Sequence, residues 1–176
     1  EYIIPRLDAI VSQREVGADV PGFAEGLRAA LRCRPDVIMV GEMRDPETIG
    51  IALQAAETGH LVLSTTHGGS VVETVSRVIN AFSPDQAPWV RAQLAGSLQA
   101  VITQRLIKGH GRAVLLYEAL LTSPSVRAKL AAGVEVQLVH DLHAQGFQTF
   151  NEQLRHLVHK KVIAWEVARS VSPAPE

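Results

Sequence analysis

The sequence predicts an α/β fold: a parallel-sheet core followed by a small helical subdomain. Three observations predict it. Val37-Ile38-Met39-Val40 is an unbroken apolar run, bounded by Pro35 and Asp36 before it and Gly41 after it. A short β-branched run of this kind reads as a strand buried on both faces of a parallel sheet. Asp45-Pro46-Glu47-Thr48 is a helix start, with Asp45 as N-cap, Pro46 at the first helical position and Glu47 in the first turn. Ile49, Ala52, Leu53 and Ala56 then recur at helical spacing until Gly59 stops the helix. The third observation is a second apolar strand, His60-Leu-Val-Leu-Ser-Thr-Thr-His67, which delivers a polar cluster at its carboxyl end. Strand, helix, strand is a βαβ unit with a right-handed crossover, so Glu42 and His67 finish on the same sheet edge. Open α/β sheets bind ligands at that edge.

Composition sets the outer bounds. A chain of 176 residues supports one domain with a real core and a small appended subdomain. A net charge of −1 gives no general electrostatic case for nucleic acid or an anionic membrane surface. The single cysteine, Cys33, excludes an internal disulfide and a cysteine-based zinc cage, as suits a reducing cytoplasm. No apolar run approaches the ~18 residues of a membrane span. The opening Glu1-Tyr2-Ile3-Ile4-Pro5 lacks the basic flank of a signal peptide.

Taken in order, Ala9 to Gln13 reads as a strand closed by the turn residues Gly17 and Asp19. A helix from Pro21 to Arg32 places Phe23, Leu27, Ala30 and Leu31 on one face and Arg28 and Arg32 on another, a solvated or subunit-facing surface. After the βαβ unit, Ser70 can cap a helix carrying Val71, Val72, Val75, Val78 and Ile79, with Arg77 among its polar positions. Ser83 to Gln86 breaks the chain before a helix from Ala87 to Gln99, whose apolar surface is Trp89, Ala92 and Leu94. Gly96 inside that helix costs about 1 kcal/mol against alanine and reads as a close helix contact. Gln104–Ile107 and Arg112–Glu118 form a β-hairpin about Gly109 to Gly111, with His110 exposed at the turn.

From Thr122 the pattern changes to short helices with polar breaks: Ser123-Pro124 to Leu130, Val134 to Ala144, Phe150 to Lys160, and Ile163 to Ser170. Ser172 to Glu176 reads as a disordered tail. His140, His143, His156 and His159 come in pairs three apart, the spacing of a helical metal pair, but no third ligand is suggested and they read as surface residues. His60 and His67 lie about 23 Å apart on an extended strand at ~3.3 Å per residue, too far to share one metal ion.

An apolar strand that delivers an acid at its carboxyl end is the Walker B pattern of nucleotide hydrolases. The acid there serves the Mg²⁺ of a bound nucleotide or orients the attacking water. The plain alternative is a buried strand that happens to end in Glu42. His67, beyond the end of the second strand, is placed to hydrogen-bond a γ-phosphate or sense its loss.

Residues 35 to 67, from Pro-Asp-Val-Ile-Met-Val-Gly-Glu-Met-Arg-Asp to Glu-Thr-Gly-His-Leu-Val-Leu-Ser-Thr-Thr-His, resemble the Walker B and His-box regions of the type II/IV secretion ATPases. Gln13-Arg-Glu-Val-Gly17 precedes them in the family's order. Gly41-Glu-Met-Arg-Asp45 and Gln99-Ala-Val-Ile-Thr-Gln104 resemble the pilus retraction (PilT-like) branch. The resemblance covers nearly the whole chain. It implies a RecA-like P-loop NTPase core over residues 1–121, partial because the phosphate-loop strand is missing, and a carboxy-terminal helical subdomain over residues 122–176. It further implies a homo-hexameric motor that uses ATP and Mg²⁺ on an inner-membrane pilus platform protein, at the cytoplasmic face of a bacterial inner membrane.

By the same resemblance Glu42 is the catalytic acid, holding Mg²⁺ through water, and His67, His60, Glu1 and Arg14 sense the nucleotide. Glu1 stands where the family's Asp box ends; read alone it is a solvated terminal residue, and Arg14 a charged strand end. Arg28, Arg32 and Arg77 are subunit-interface candidates. The retraction branch carries Ala-Ile-Arg-Asn-Leu-Ile-Arg in its helical subdomain, whereas this chain has Ser125-Val-Arg-Ala-Lys-Leu-Ala131. No Gly-x-x-x-x-Gly-Lys-Ser/Thr phosphate loop occurs in the 176 residues. The family places that loop upstream, so the chain is expected to be the carboxy-terminal part of a motor subunit.

Overall fold

A computed structural model describes residues 4, 5 and 7–172. Glu1 and tail residues 173–176 lie outside the described residues. The chain divides into two compact units, Glu1–Thr65 and Thr66–Glu176.

The first unit contains α1 (Phe23–Leu31), β1 (Val37–Val40), α2 (Pro46–Glu57) and β2 (Leu61–Ser64). β1 and β2 pair in parallel, with Val37 opposite Leu61 and Val40 opposite Ser64, which closes the expected βαβ unit. Asp45 caps α2 as its sequence requires. Its Oδ1 accepts the Thr48 N–H at 2.8 Å and its Oδ2 accepts the Thr48 hydroxyl at 2.7 Å. At the other end Gly59 takes φ +100°, a left-handed geometry that favours glycine. It lets the Gly59 and His60 N–H groups reach back to the carbonyls of Ala56 and Ala55, a Schellman closure. Ala24 and Leu27 of α1, Ile38 and Val40 of β1, and Ile51, Ala52 and Ala55 of α2 form one core. Each larger aliphatic buried there contributes roughly 1.5–3 kcal/mol of transfer free energy.

Three expectations for this unit are corrected. β1 is buried on one face only: Val37 is 51% exposed and Met39 45%, while Ile38 and Val40 are buried. α1 and α2 cover one side of a two-stranded sheet, so alternate side chains of both strands, Leu61 and Leu63 included, lack a covering layer among the described residues. Residues 9–13 form no strand. No ladder partner meets them among the described residues, and Leu7 and Ile10 project into solvent. Phe23 is exposed, because the inward stripe of α1 runs through Ala24, Leu27 and the half-buried Leu31.

The second unit contains α3 (Val71–Asn80), α4 (Ala87–Ser97), β3 (Ala100–Lys108), β4 (Ala113–Leu121) and α5 (Pro124–Ala132). A 3-10 turn (Glu135–Gln137) follows, then α6 (Leu138–Ala144), α7 (Phe150–His159) and α8 (Trp165–Val171). β3 and β4 form an antiparallel hairpin from Lys108 opposite Ala113 to Ala100 opposite Leu121, longer than the sequence pattern suggested. Its inner face packs on α7 and α8, where Ile107, Leu116, Phe150, Leu154, Ile163 and Ala168 are buried together. Ser70, Ser123 and Thr149 cap α3, α5 and α7, and Thr149 with Glu152 makes a full capping box.

α4 departs from expectation twice. It buries Val90 and Leu94 and leaves Trp89 and Ala92 on the open side. Gly96 makes no close helix contact, since a Cβ there would meet nothing within 4 Å. The contact at this end is polar instead: the Arg127 guanidinium on α5 donates to the carbonyls of Ala95 and Gly96, where α4 has orphan acceptors. No helix among the described residues is long and apolar enough to cross a membrane.

Candidate functional site

The candidate site in the first unit lies where β1 and β2 end. The parallel register brings Val40 beside Ser64, so both strands release their chains at one edge. Three bonds stitch these exits together. The Ser64 hydroxyl donates to the Val40 carbonyl at 3.0 Å, the Thr65 hydroxyl to the Gly41 carbonyl at 2.5 Å, and the Met43 N–H to the Thr65 carbonyl at 3.1 Å. Glu42 sits inside this stitched segment with its side chain 18% exposed, and its Oε2 meets the Arg44 guanidinium at 2.6 Å. Arg44 is 74% exposed, so the pair is worth at most about 1 kcal/mol.

Asp45, next along, belongs to the helix and not to the ligand edge. The Thr48 N–H, and then the Thr48 hydroxyl, hold its carboxyl below the usual carboxylate range.

His67 belongs to the second unit and is exposed, in the irregular segment before α3. The segment after it is tightly fixed. A Cβ on Gly68 would fall 2.1 Å from the Thr74 hydroxyl and 3.0 Å from the Thr74 backbone, and one on Gly69 would fall 2.3 Å from Glu73. The Gly69 N–H donates to Glu73 Oε2 at 2.8 Å, its carbonyl accepts from Arg105 Nη2 at 2.9 Å, and Ser70 caps α3.

The other candidates are dispersed. His60 stands at the start of β2, the end opposite Glu42. Its Nδ1 is 3.0 Å from the Ala55 carbonyl and 3.2 Å from the Thr58 hydroxyl, so its ring is engaged at the end of α2. Arg14 is exposed and directs Nη2 to Cys33 Sγ at 3.7 Å. Arg28 pairs with Glu47 at 2.5 Å across α1 and α2, both half exposed. Arg32 and Arg77 are exposed on or beside their helices. Glu1 lies outside the described residues. His140, His143, His156 and His159 are exposed, and His143 meets Glu152 at 2.9 Å.

No group of three or more His, Cys, Asp or Glu able to hold a metal ion occurs among the described residues. Ser64 and Thr65 spend their hydroxyl protons on backbone carbonyls, leaving Glu42 as the anionic donor of this edge. One carboxylate fits a Mg²⁺ that keeps most of its waters and takes its remaining ligands from phosphate oxygens.

Sequence reasoning missed Thr65, Arg105 and Glu118. Thr65 carries no signal before the register is known. Glu118 does: strand alternation puts it in line with Leu116 and Leu120, so an acid stands in an inward row.

The family described as type II/IV secretion system protein matches residues 7–161. The chain is 42% identical over 181 residues to the type IV pilus retractation ATPase PilT of Pseudomonas aeruginosa, covering 100% of this chain and 52% of that protein. It is 43% identical over 175 residues to a twitching motility protein of Neisseria gonorrhoeae, covering 96% of this chain and 46% of that one. The crystal structure of the pilus retraction motor PilT with bound ADP superposes at a TM-score of 0.87 and 43% identity, over 99% of this chain and 50% of that chain. The chain thus spans about half the length of the curated relatives it matches. Its mixed α/β order agrees with a partial RecA-like ATPase core followed by helices. Matched along most of its length and 42% identical to a relative across all of it, the chain belongs to the type II/IV secretion system protein family.

Proposed function

We propose that this chain works within a hexameric ATP-hydrolysing motor of type IV pilus retraction and twitching motility, coupling hydrolysis to pilus disassembly. The observation that supports it is Glu42, held at the carboxyl end of β1 by the Gly41–Thr65 and Met43–Thr65 bonds. That is where a carboxylate can polarise a water for in-line attack on a γ-phosphate and hold Mg²⁺ through water. His67 senses the γ-phosphate in this reading. Arg28, Arg32 and Arg77 face neighbouring subunits, and Glu1, Arg14 and His60 are secondary nucleotide-side candidates. Residues 1–121 belong to the ATPase core and 122–176 to a carboxy-terminal helical subdomain. The motor acts at the cytoplasmic face of the inner membrane on a platform protein, without contact to nucleic acid.

In the intact protein, Glu42→Gln should reduce ATP turnover by about 10²-fold or more while leaving Mg-ATP binding largely in place. Near-normal hydrolysis by that variant would sink the assignment.

Two observations favour neighbouring readings. The Ser125–Ala131 segment departs from the retraction signature, which suits a pilus assembly or type II secretion ATPase. The absence of a phosphate-loop motif from these 176 residues suits a non-catalytic assembly or regulatory module. A phosphate loop in the same gene, upstream of Glu1, decides against the second.

A further inference from the structure

Glu118 of β4 is 3% exposed, yet both carboxylate oxygens are used. Oε2 accepts the Val71 N–H at 2.8 Å and Oε1 accepts the Phe150 N–H at 2.8 Å. Val71 and Phe150 are the first residues of α3 and α7, so one buried charge completes two helix N-termini. Burial of a carboxylate is costly without such partners, and here the positive ends of two helices supply them.

Arg105 of β3 makes the matching connection. Its Nη2 donates to the Gly69 carbonyl at 2.9 Å, its Nη1 to the carbonyl of Val171, the last residue of α8, and its guanidinium lies 5.0 Å from the Phe150 ring centroid. Two residues on one hairpin face therefore tie Gly69 and Val71 to the start of α7 and the end of α8. Gly69 and Val71 lie two and four residues beyond His67.

We propose that Glu118 and Arg105 are positioning residues that make the backbone of the His67–Val71 segment follow the positions of α7 and α8. The link to catalysis rests on the γ-phosphate role given to His67 above. A displacement of either helix moves an acceptor or donor shared with this segment, and by linkage a ligand that shifts the segment also shifts the helices. The route consists of contiguous hydrogen bonds within one compact unit.

The test perturbs one end and reads the other in the intact protein. Thr149→Ala removes the cap of α7, whose bonds run to Glu152 and not to the His67–Val71 segment. Amide hydrogen exchange at Val71 should rise at least about fivefold in T149A. The rise should vanish when T149A is compared with its parent in an E118Q background, because the shared carboxylate is gone. If E118Q does not fold, Glu118→Asp serves as the uncoupled background, since it keeps the charge but is one methylene too short to reach both the Val71 and Phe150 N–H groups. T149A should also lower kcat for ATP several-fold with KM unchanged. Unchanged exchange at Val71, or an exchange response with unaltered kcat, overturns the proposal. A wild-type protein that hydrolyses no ATP overturns the functional reading instead, while the exchange measurement still decides the clamp.

Discussion

The Thr65 hydroxyl donates to the Gly41 carbonyl at 2.5 Å, and the Met43 N–H donates to the Thr65 carbonyl at 3.1 Å. Thr65 therefore brackets Glu42 on both sides. A carboxylate that must aim a water gains from a fixed backbone, because a displacement near 1 Å can cost about 10²-fold in rate. The helix start at Asp45 anchors the same segment from the other end.

Thr65→Val should remove one of these bonds, at about 1 kcal/mol of stability, and should lower kcat of the intact ATPase several-fold. Thr65→Ser keeps the hydroxyl and should restore most of the rate. Equal rates for T65V and wild type would mean that Met43 alone suffices to hold Glu42. Steady-state ATP turnover of the three proteins is the measurement.

Asp45 gives a prediction with a definite pH sign. The Thr48 N–H and hydroxyl hold its folded pKa below the unfolded value. The capping contribution is therefore complete above the unfolded pKa of about 3.9 and is lost as pH falls through the lower folded value. Asp45→Ala should cost about 1 kcal/mol at pH 7, and the gap should close progressively below about pH 4. Asp45→Asn keeps an N-cap acceptor without titrating, so its cost should stay small throughout. Urea unfolding at several pH values checks both; a pH-independent D45A penalty would refute the charge argument.

His67→Ala in the intact ATPase should slow hydrolysis and weaken discrimination between ATP and ADP, with the folded state retained. The side chain is exposed and the following turn is held by Glu73, Arg105 and Ser70, so removal of the imidazole leaves those backbone contacts in place. Unchanged turnover together with an unchanged ATP-to-ADP affinity ratio would give His67 a purely structural place.

These residues also mark where the sequence is legible. Local signals transferred almost intact: Asp45-Pro46 as a helix start, Gly59 as its stop, Ser70 as a cap, and the βαβ order that puts Glu42 at the end of β1. Each depends on a few neighbouring side chains and backbone geometry. Quantities that depend on layers did not transfer. The apolar run Val37–Val40 cannot reveal whether one or both faces are covered, and Ala9–Gln13 looks like a strand although it joins no strand ladder among the described residues. Gly96 suggested a tight helix contact, but its surroundings are set by Arg127, thirty-one positions away. Thr65 and Glu118 act through long-range register, and only Glu118 leaves a trace, as an acid in an apolar row.

The last prediction concerns residues 1 to 176 by themselves. Tight nucleotide binding needs backbone N–H groups and a lysine around the phosphates, and the sequence has no motif that supplies them. Glu42 is anionic, and Arg44, its neighbour, is already paired with it. Charge-assisted donors carry phosphate affinity, and a carboxylate opposes it unless a divalent cation intervenes. This polypeptide should therefore show no measurable ATPase activity and at best millimolar affinity for Mg-ATP. It should also associate readily, because Val37, Met39, Leu61 and Leu63 line one exposed sheet face, and Ile102, Leu106, Leu115 and Tyr117 line the outer face of the hairpin. Exposed apolar strands of that kind favour pairing with other chains. Calorimetric titration with Mg-ATP and light scattering across a concentration series measure the two effects. Micromolar ATP binding would show that the nucleotide site does not depend on a phosphate loop, and a monodisperse monomer at high concentration would show that the open faces are not adhesive.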